Sequence, residues 1–212
     1  MDDDPNKKSV VIVFPGLLGG SNSNYSLKLS SKLEKAGHIV GVYNNEGIDG
    51  TPLLNDRLID FTCLESTARA LRYVKERFPK KNLYCVCFSF GCTRLMKVLS
   101  EMKDANEVVQ GFIAVSNPFN LNKSGHAVST LKKNALYSWS YTGNMKNYLR
   151  SHLPSVTKRS KEANIDLGTP FLLFPIAQIF FTVFAFIAFI FFCFPTYLFY
   201  QLLPANLFLL VS

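Results

Sequence analysis

The sequence predicts an α/β fold, a parallel sheet of about four strands flanked by helices, followed by a C-terminal hydrophobic, transmembrane-like helix. Three observations carry this. Four short apolar runs are rich in β-branched residues. Segments of helical period alternate with them. All charge ends before Phe171, so the last part of the chain differs in kind from the rest. A chain of 212 residues suffices for one domain of ordinary size.

Ser9 to Phe14 (SVVIVF) is a continuous apolar run ending at Pro15-Gly16, the pattern of a strand buried on both faces. Gly16 to Ser23 is a glycine-rich loop. Ser23 or Asn24 caps a helix to about Ala36, with Tyr25, Leu29 and Leu33 on one face and Gly37 as its stop. Ile39 to Tyr43 is a second strand, and Asn44 to Asn55 reads as a turn-rich loop. A helix runs from about Leu64 to Phe78, before Pro79. Leu83 to Phe88 is the third strand, Phe90 to Met102 a helix, and Gly111 to Val115 the fourth strand. Strands alternating with helices of this length imply βαβ units and a parallel sheet. Pro118 to Ser129 reads as loop, with one or two helices between Val128 and Leu153. The fourth strand would then leave an open edge, a hazard unless the Val128–Leu153 region or the tail covers it. The division is a core at 1–127, a basic helical connector at 128–170 and a hydrophobic tail at 171–212.

Net charge is 23 − 15 = +8, unevenly spread. Val108 to Lys161 holds no acidic residue but carries Lys123, Lys132, Lys133, Lys146, Arg150, Lys158, Arg159 and Lys161. Between Pro175 and Pro195 lie 19 uncharged residues. As a helix they would span about 28 Å, close to the ~30 Å hydrocarbon layer. The transmembrane helix is placed at about 173–194, single-pass, with the basic flank keeping the folded domain cytosolic. Two other readings of the tail remain. Pro195 and Pro204 suit a hydrophobic hairpin. Phe also supplies 12 of the 42 residues from Phe171, a composition that suits translated non-coding sequence and hence a truncated or mis-spliced product. The N-terminus lacks the apolar stretch of a signal peptide. Cys63, Cys85, Cys87, Cys92 and Cys193 then read as reduced, buried thiols rather than metal ligands.

The chemistry centres on Leu83-Tyr84-Cys85-Val86-Cys87-Phe88-Ser89-Phe90-Gly91, where a buried strand runs straight into a serine and a helix begins. Such a corner is a nucleophile elbow: it lifts the serine oxygen clear of the sheet and aims the next backbone N–H at an oxyanion. The expected pattern is G-x-S-x-G, and here Cys87 stands for the first glycine. The competing reading is that Ser89 only caps the helix. The loop Pro15-Gly16-Leu17-Leu18-Gly19-Gly20-Ser21 suits a second oxyanion donor. It lacks the Gly-Lys-Ser/Thr ending of a P-loop and the G-x-G-x-x-G of a dinucleotide site, so no cofactor is expected. The lysines have no nucleic-acid-binding motif around them, and an anionic membrane surface accounts for them more simply.

Five segments occur together in order: VVIVFPGLLGGSNSNY, Tyr43-Asn44-Asn45-Glu46-Gly47, Ala70-Leu71-Arg72-Tyr73-Val74 before Arg77-Phe78-Pro79, the Ser89 elbow, and Val115-Ser116-Asn117-Pro118-Phe119-Asn120-Leu121. Over about residues 9–166 the chain resembles the α/β-hydrolase branch of medium-chain ester synthases/esterases, monoacylglycerol and phospholipid lipases, and embryogenesis-associated proteins. The resemblance implies a partial α/β-hydrolase fold and a serine ester hydrolase acting on acyl esters or lipids. It implies Ser89 as nucleophile, the Leu17 and Phe90 N–H groups as oxyanion hole, and no metal or cofactor. Two positions depart from the pattern: Glu46 stands where the family typically has arginine, and Cys87 where it has glycine. The family's aspartate and histidine follow later strands, which this sequence does not supply. Of its three histidines, His38 precedes a strand, His126 follows the fourth strand and is the one candidate replacement, and His152 lies in the connector. The expectation is a membrane-associated lipase/carboxylesterase-like hydrolase with an incomplete triad. The alternative is a non-catalytic, membrane-tethered interaction module that keeps the hydrolase core.

Overall fold

The computed structural model describes residues 6–53, 64–129, 135–162 and 208–211. The expected strands and helices form close to their expected bounds: β1 (Val10–Phe14), α1 (Asn24–Lys35), β2 (Ile39–Val42), α2 (Glu65–Arg77), β3 (Leu83–Phe88), α3 (Phe90–Glu101), a short α4 (Ala105–Val108) and β4 (Gly111–Val115). All strand pairs are parallel, and the sheet order is β2-β1-β3-β4 with a fifth strand outside β4. Every residue of β1 is buried, as its unbroken apolar run requires of a central parallel strand.

One sheet face carries Val10, Ile12, Phe14, Leu83, Cys85, Cys87, Phe112 and Ala114. It packs on Leu71 and Phe78 of α2 and its flank, and on Cys92, Leu95, Val98 and Leu99 of α3. Helix α1 packs on β1 and β2, and its Tyr25 ring meets Phe88 on the opposite face. The connections from β1 and β3 thus leave toward opposite faces. This opens a crevice between their carboxyl ends, the switch point where parallel sheets bind ligands.

The structure corrects the sequence reading at one stretch and adds a strand at the sheet edge. The stretch read as loop at Pro118 to Ser129 contains a helix, α5 (Leu121–Ser129), because Asn120 Oδ1 accepts the Lys123 N–H at 2.9 Å and starts the turn. The connector holds α6 (Ala135–Ser151) and α7 (Leu153–Glu162). The four expected strands form the sheet, and a fifth joins them at its edge. Strand β5 (Phe208–Val211) pairs with β4 from Phe112↔Phe208 to Val115↔Val211, so the end of the tail covers the edge that would otherwise be open. The helix expected at 173–194, Cys63 and Cys193 lie outside the described residues. Among the described residues, no helix is long and apolar enough to cross a membrane.

Helices α2 and α4 are clamped by Arg72, whose Nε and Nη2 donate to the two Asp104 carboxylate oxygens at 2.8 and 2.7 Å. These bonds hold the Asp104 carboxyl down at about 2. The ordinary unfolded value is about 3.9. A depressed folded value adds stability above the unfolded pKa, and that stability is lost as pH falls through the folded one. Asp104→Asn is therefore expected to lower the thermal midpoint at pH 7. The difference from wild type should shrink between about pH 4 and pH 2, a trend that calorimetry across that window checks.

Candidate active site

Ser89 joins β3 to α3 with φ 48° and ψ −123°, a region that residues with a side chain occupy only under constraint. Three contacts hold it there. Ser89 N–H donates to Val115 O at 2.9 Å, and Ser89 O accepts from Cys92 N–H at 3.0 Å. Gly91 lies so close to β1 that an added Cβ would fall 2.3 Å from Pro15 O and 2.6 Å from Phe14 O. The Ser89 side chain makes no capping hydrogen bond, so its hydroxyl is not spent on the helix. It has no hydrogen-bond partner among the described residues. The start of α3, with its positive dipole end, lies at this corner.

Cys87, which stands where a glycine was expected, is fully buried. The close contact of the elbow falls at Gly91, not at residue 87. The Cys87 thiol turns to β4 and donates to Ile113 O at 3.3 Å. Burial pushes the Cys85 and Cys87 thiols far up, so both stay protonated. All three described cysteines are free and buried, as their placement in the apolar core requires.

Opposite Ser89 stands the loop after β1. A Cβ on Gly16 would lie 3.3 Å from Ser89 Cβ and 3.9 Å from Ser89 Oγ. Gly19 N–H donates to Gly16 O at 3.0 Å, closing a turn whose third residue, Leu18, has φ 59°. Four other amides of the loop are bound by side chains. Gly16 N–H donates to the Tyr25 hydroxyl at 3.1 Å and Gly20 N–H to Ser23 Oγ at 3.0 Å. Ser21 N–H donates to Asn44 Oδ1 at 2.8 Å and Asn22 N–H to Asp49 Oδ2 at 2.7 Å. Ser23 N–H donates to Gly20 O. From Gly16 to Ser23, only the Leu17 and Leu18 amides have no partner among the described residues. The loop is thus fixed along its length except where a backbone donor is free.

The loop after β2 supplies two of these clamps and is itself held from behind. Arg94 of α3, buried, donates to Asn45 Oδ1 and to Ser66 Oγ and lies 5.4 Å from the Tyr43 ring centre. From the connector, the Tyr148 hydroxyl donates to Glu46 O at 3.3 Å, and His152 Nε2 lies 3.0 Å from Gly47 O. Beyond β4, Thr93 Oγ1 donates to Asn117 Oδ1 at 3.1 Å, tying the Asn117 segment to α3.

The sequence-derived residues are placed as follows. Ser89, Phe90 and the Leu17 loop come together. His38 sits at the amino ends of the strands, its Nδ1 2.7 Å from Ser9 Oγ. His126 is exposed on α5, and His152 docks on the β2 loop; neither bonds Ser89. The clamps from Tyr25, Asn44 and Asp49 were not legible in advance. Asn44 and Asp49 carry the ordinary composition of a turn, and Tyr25 reads as one member of a core stripe. Among the described residues no cluster of three metal-ligating side chains occurs.

A strained serine between a parallel strand and a helix, facing a glycine loop at the switch point, defines a class of fold. The sequence profile of the alpha/beta hydrolase fold matches residues 9–162, and the chain belongs to that family. It is 29% identical over 117 residues to the embryogenesis-associated protein EMB8 of Picea glauca, covering 55% of this chain and 25% of that protein. It is 26% identical over 161 residues to a monoacylglycerol lipase of Saccharomyces cerevisiae, covering 73% of this chain and 36% of that one. The chain therefore spans about a quarter to a third of these relatives' length. Among solved structures, an esterase of Pyrococcus furiosus superposes with a TM-score of 0.51 at 17% identity, over 68% of this chain and 53% of that one, a likeness of fold.

Proposed function

We propose that this protein is a membrane-associated serine ester hydrolase of the lipase/esterase kind, with Ser89 as nucleophile and the Leu17 and Phe90 N–H groups as oxyanion donors. One observation carries the reading: a strained Ser89 whose hydroxyl is free of the helix, beside a loop in which only Leu17 and Leu18 keep an uncommitted amide. In this reaction Ser89 Oγ attacks the acyl carbonyl carbon, its proton passing to a base, and the carbonyl electron pair moves to the oxygen in the hole. The C–O bond to the alcohol then breaks, the alcohol leaves with a proton, and water releases the acid from acyl-Ser89. Acyl esters or lipids are the substrate class, by similarity to the lipase relatives. No cofactor or nucleic acid takes part.

Membrane attachment through the tail and the basic connector completes the proposal, with the folded domain on the cytosolic side. Deletion of 171–212 should then move the protein from membrane to supernatant on fractionation.

The test is hydrolysis of a monoacylglycerol and of a p-nitrophenyl acyl ester by the full chain in detergent. Ser89→Ala is expected to lower kcat by at least about 10³-fold. Turnover by wild type no greater than by Ser89→Ala supports the second reading, a non-catalytic membrane-tethered module. That reading is favoured by the lack of a hydrogen-bonded base at Ser89 Oγ among the described residues.

A further inference from the structure

We propose that the Tyr25 hydroxyl is a third oxyanion donor of this site, acting beside the backbone amides; the proposal rests on the ester-hydrolase reading. Three independent contacts place this hydroxyl within the loop that faces Ser89. Its ring lies against Phe88, the residue before the serine, with ring centres 4.8 Å apart. Its oxygen accepts the Gly16 N–H at 3.1 Å, and Gly16 is the residue whose Cβ would lie 3.9 Å from Ser89 Oγ. The space at Gly19 is the third. A Cβ there would fall 2.2 Å from the Tyr25 oxygen, so the glycine keeps room for the hydroxyl.

The hydrogen-bond inventory then points the proton. A phenol has one proton to donate and accepts through its oxygen. The acceptor role is taken by Gly16 N–H. The proton has no acceptor among the described residues. Accepting a bond from an amide also polarises the O–H and strengthens it as a donor. Tyr25 is 38% exposed, so the residue borders solvent that a substrate would displace. During attack the bond from Ser89 Oγ to the carbonyl carbon forms and the carbonyl π pair moves to oxygen. The Tyr25 O–H hydrogen-bonds that oxygen and keeps its proton throughout. The bond relaxes when the carbonyl re-forms and the alcohol leaves.

The alternative is that Tyr25 only braces Gly16. Three forms of the full chain in detergent separate the two: wild type, Tyr25→Phe, and protein with a ring-fluorinated tyrosine at position 25. Each is assayed on a p-nitrophenyl acyl ester across pH. Tyr25→Phe is expected to lower kcat about 10²-fold while KM stays within about threefold. The fluorinated form is expected to lose kcat at a less alkaline pH than wild type, because its more acidic phenol ionises sooner and ceases to donate. Full kcat in Tyr25→Phe overturns the proposal. So does a fall in kcat with no shift of the alkaline limb in the fluorinated form, the mark of a brace. Wild-type turnover no greater than that of Ser89→Ala removes the ester-hydrolase reading, and this proposal with it.

Discussion

Gly91→Ala is expected to cost more than about 3 kcal/mol of stability, the upper range of overpacking, and to remove any reactivity of Ser89. The added Cβ would meet Pro15 O at 2.3 Å and Phe14 O at 2.6 Å. Both atoms are backbone, one at the end of β1 and one in the residue after it, so no side chain can swing aside. Relief requires α3 to move off β1. That motion would undo the bonds from Ser89 N to Val115 O and from Cys92 N to Ser89 O that hold the elbow. Against a total stability of about 5–15 kcal/mol, such a loss leaves little folded protein. Urea unfolding checks it, with Gly125→Ala as control: an added Cβ at Gly125, within α5, meets nothing within 4 Å and should leave the midpoint nearly unchanged.

Phe14→Ala is expected to cost about 3–5 kcal/mol, the range for removing a buried phenylalanine. Phe14 is 2% exposed and among the largest fully buried side chains. Its ring stacks on Tyr43 with centres 5.3 Å apart and planes 26° apart. These residues end β1 and follow β2, directly below the loops that meet over Ser89. A cavity there would lower the urea midpoint and leave the slope unchanged if the denatured state is the same. Loss of the ring would also free the Pro15-Gly16 turn, so the folded fraction should be less reactive at Ser89 than wild type.

Much of this arrangement was legible because the chain announces it in short, unbroken apolar runs. Leu83 to Phe88 and Gly111 to Val115 form with the bounds that their composition implies. The elbow was legible because a serine stands directly between an apolar strand and a helix. What escaped depends on contacts that no periodicity encodes. Helical spacing puts Tyr25, Leu29 and Leu33 on one face of α1, yet Ser26 is the fully buried residue there and Tyr25 is exposed, its ring against Phe88. Helix α5 was hidden by turn-forming residues that here cap a helix through Asn120. Strand β5 escaped because Phe208–Val211 lies at the end of a tail that is apolar over most of its length from Phe171 on, so no alternation marks it out. The clamps of Asn44 and Asp49 join loops 20 or more residues apart, a distance over which turn composition says nothing of pairing.

The proposed role of Ser89 as an activated nucleophile is open to a direct chemical test: labelling of the folded full chain with a fluorophosphonate, followed by trypsin and mass mapping. One adduct is expected, on the peptide from Asn82 to Arg94 that carries Ser89, and its loss in Ser89→Ala. An unlabelled wild-type chain, or an adduct on another residue that persists in Ser89→Ala, would contradict it.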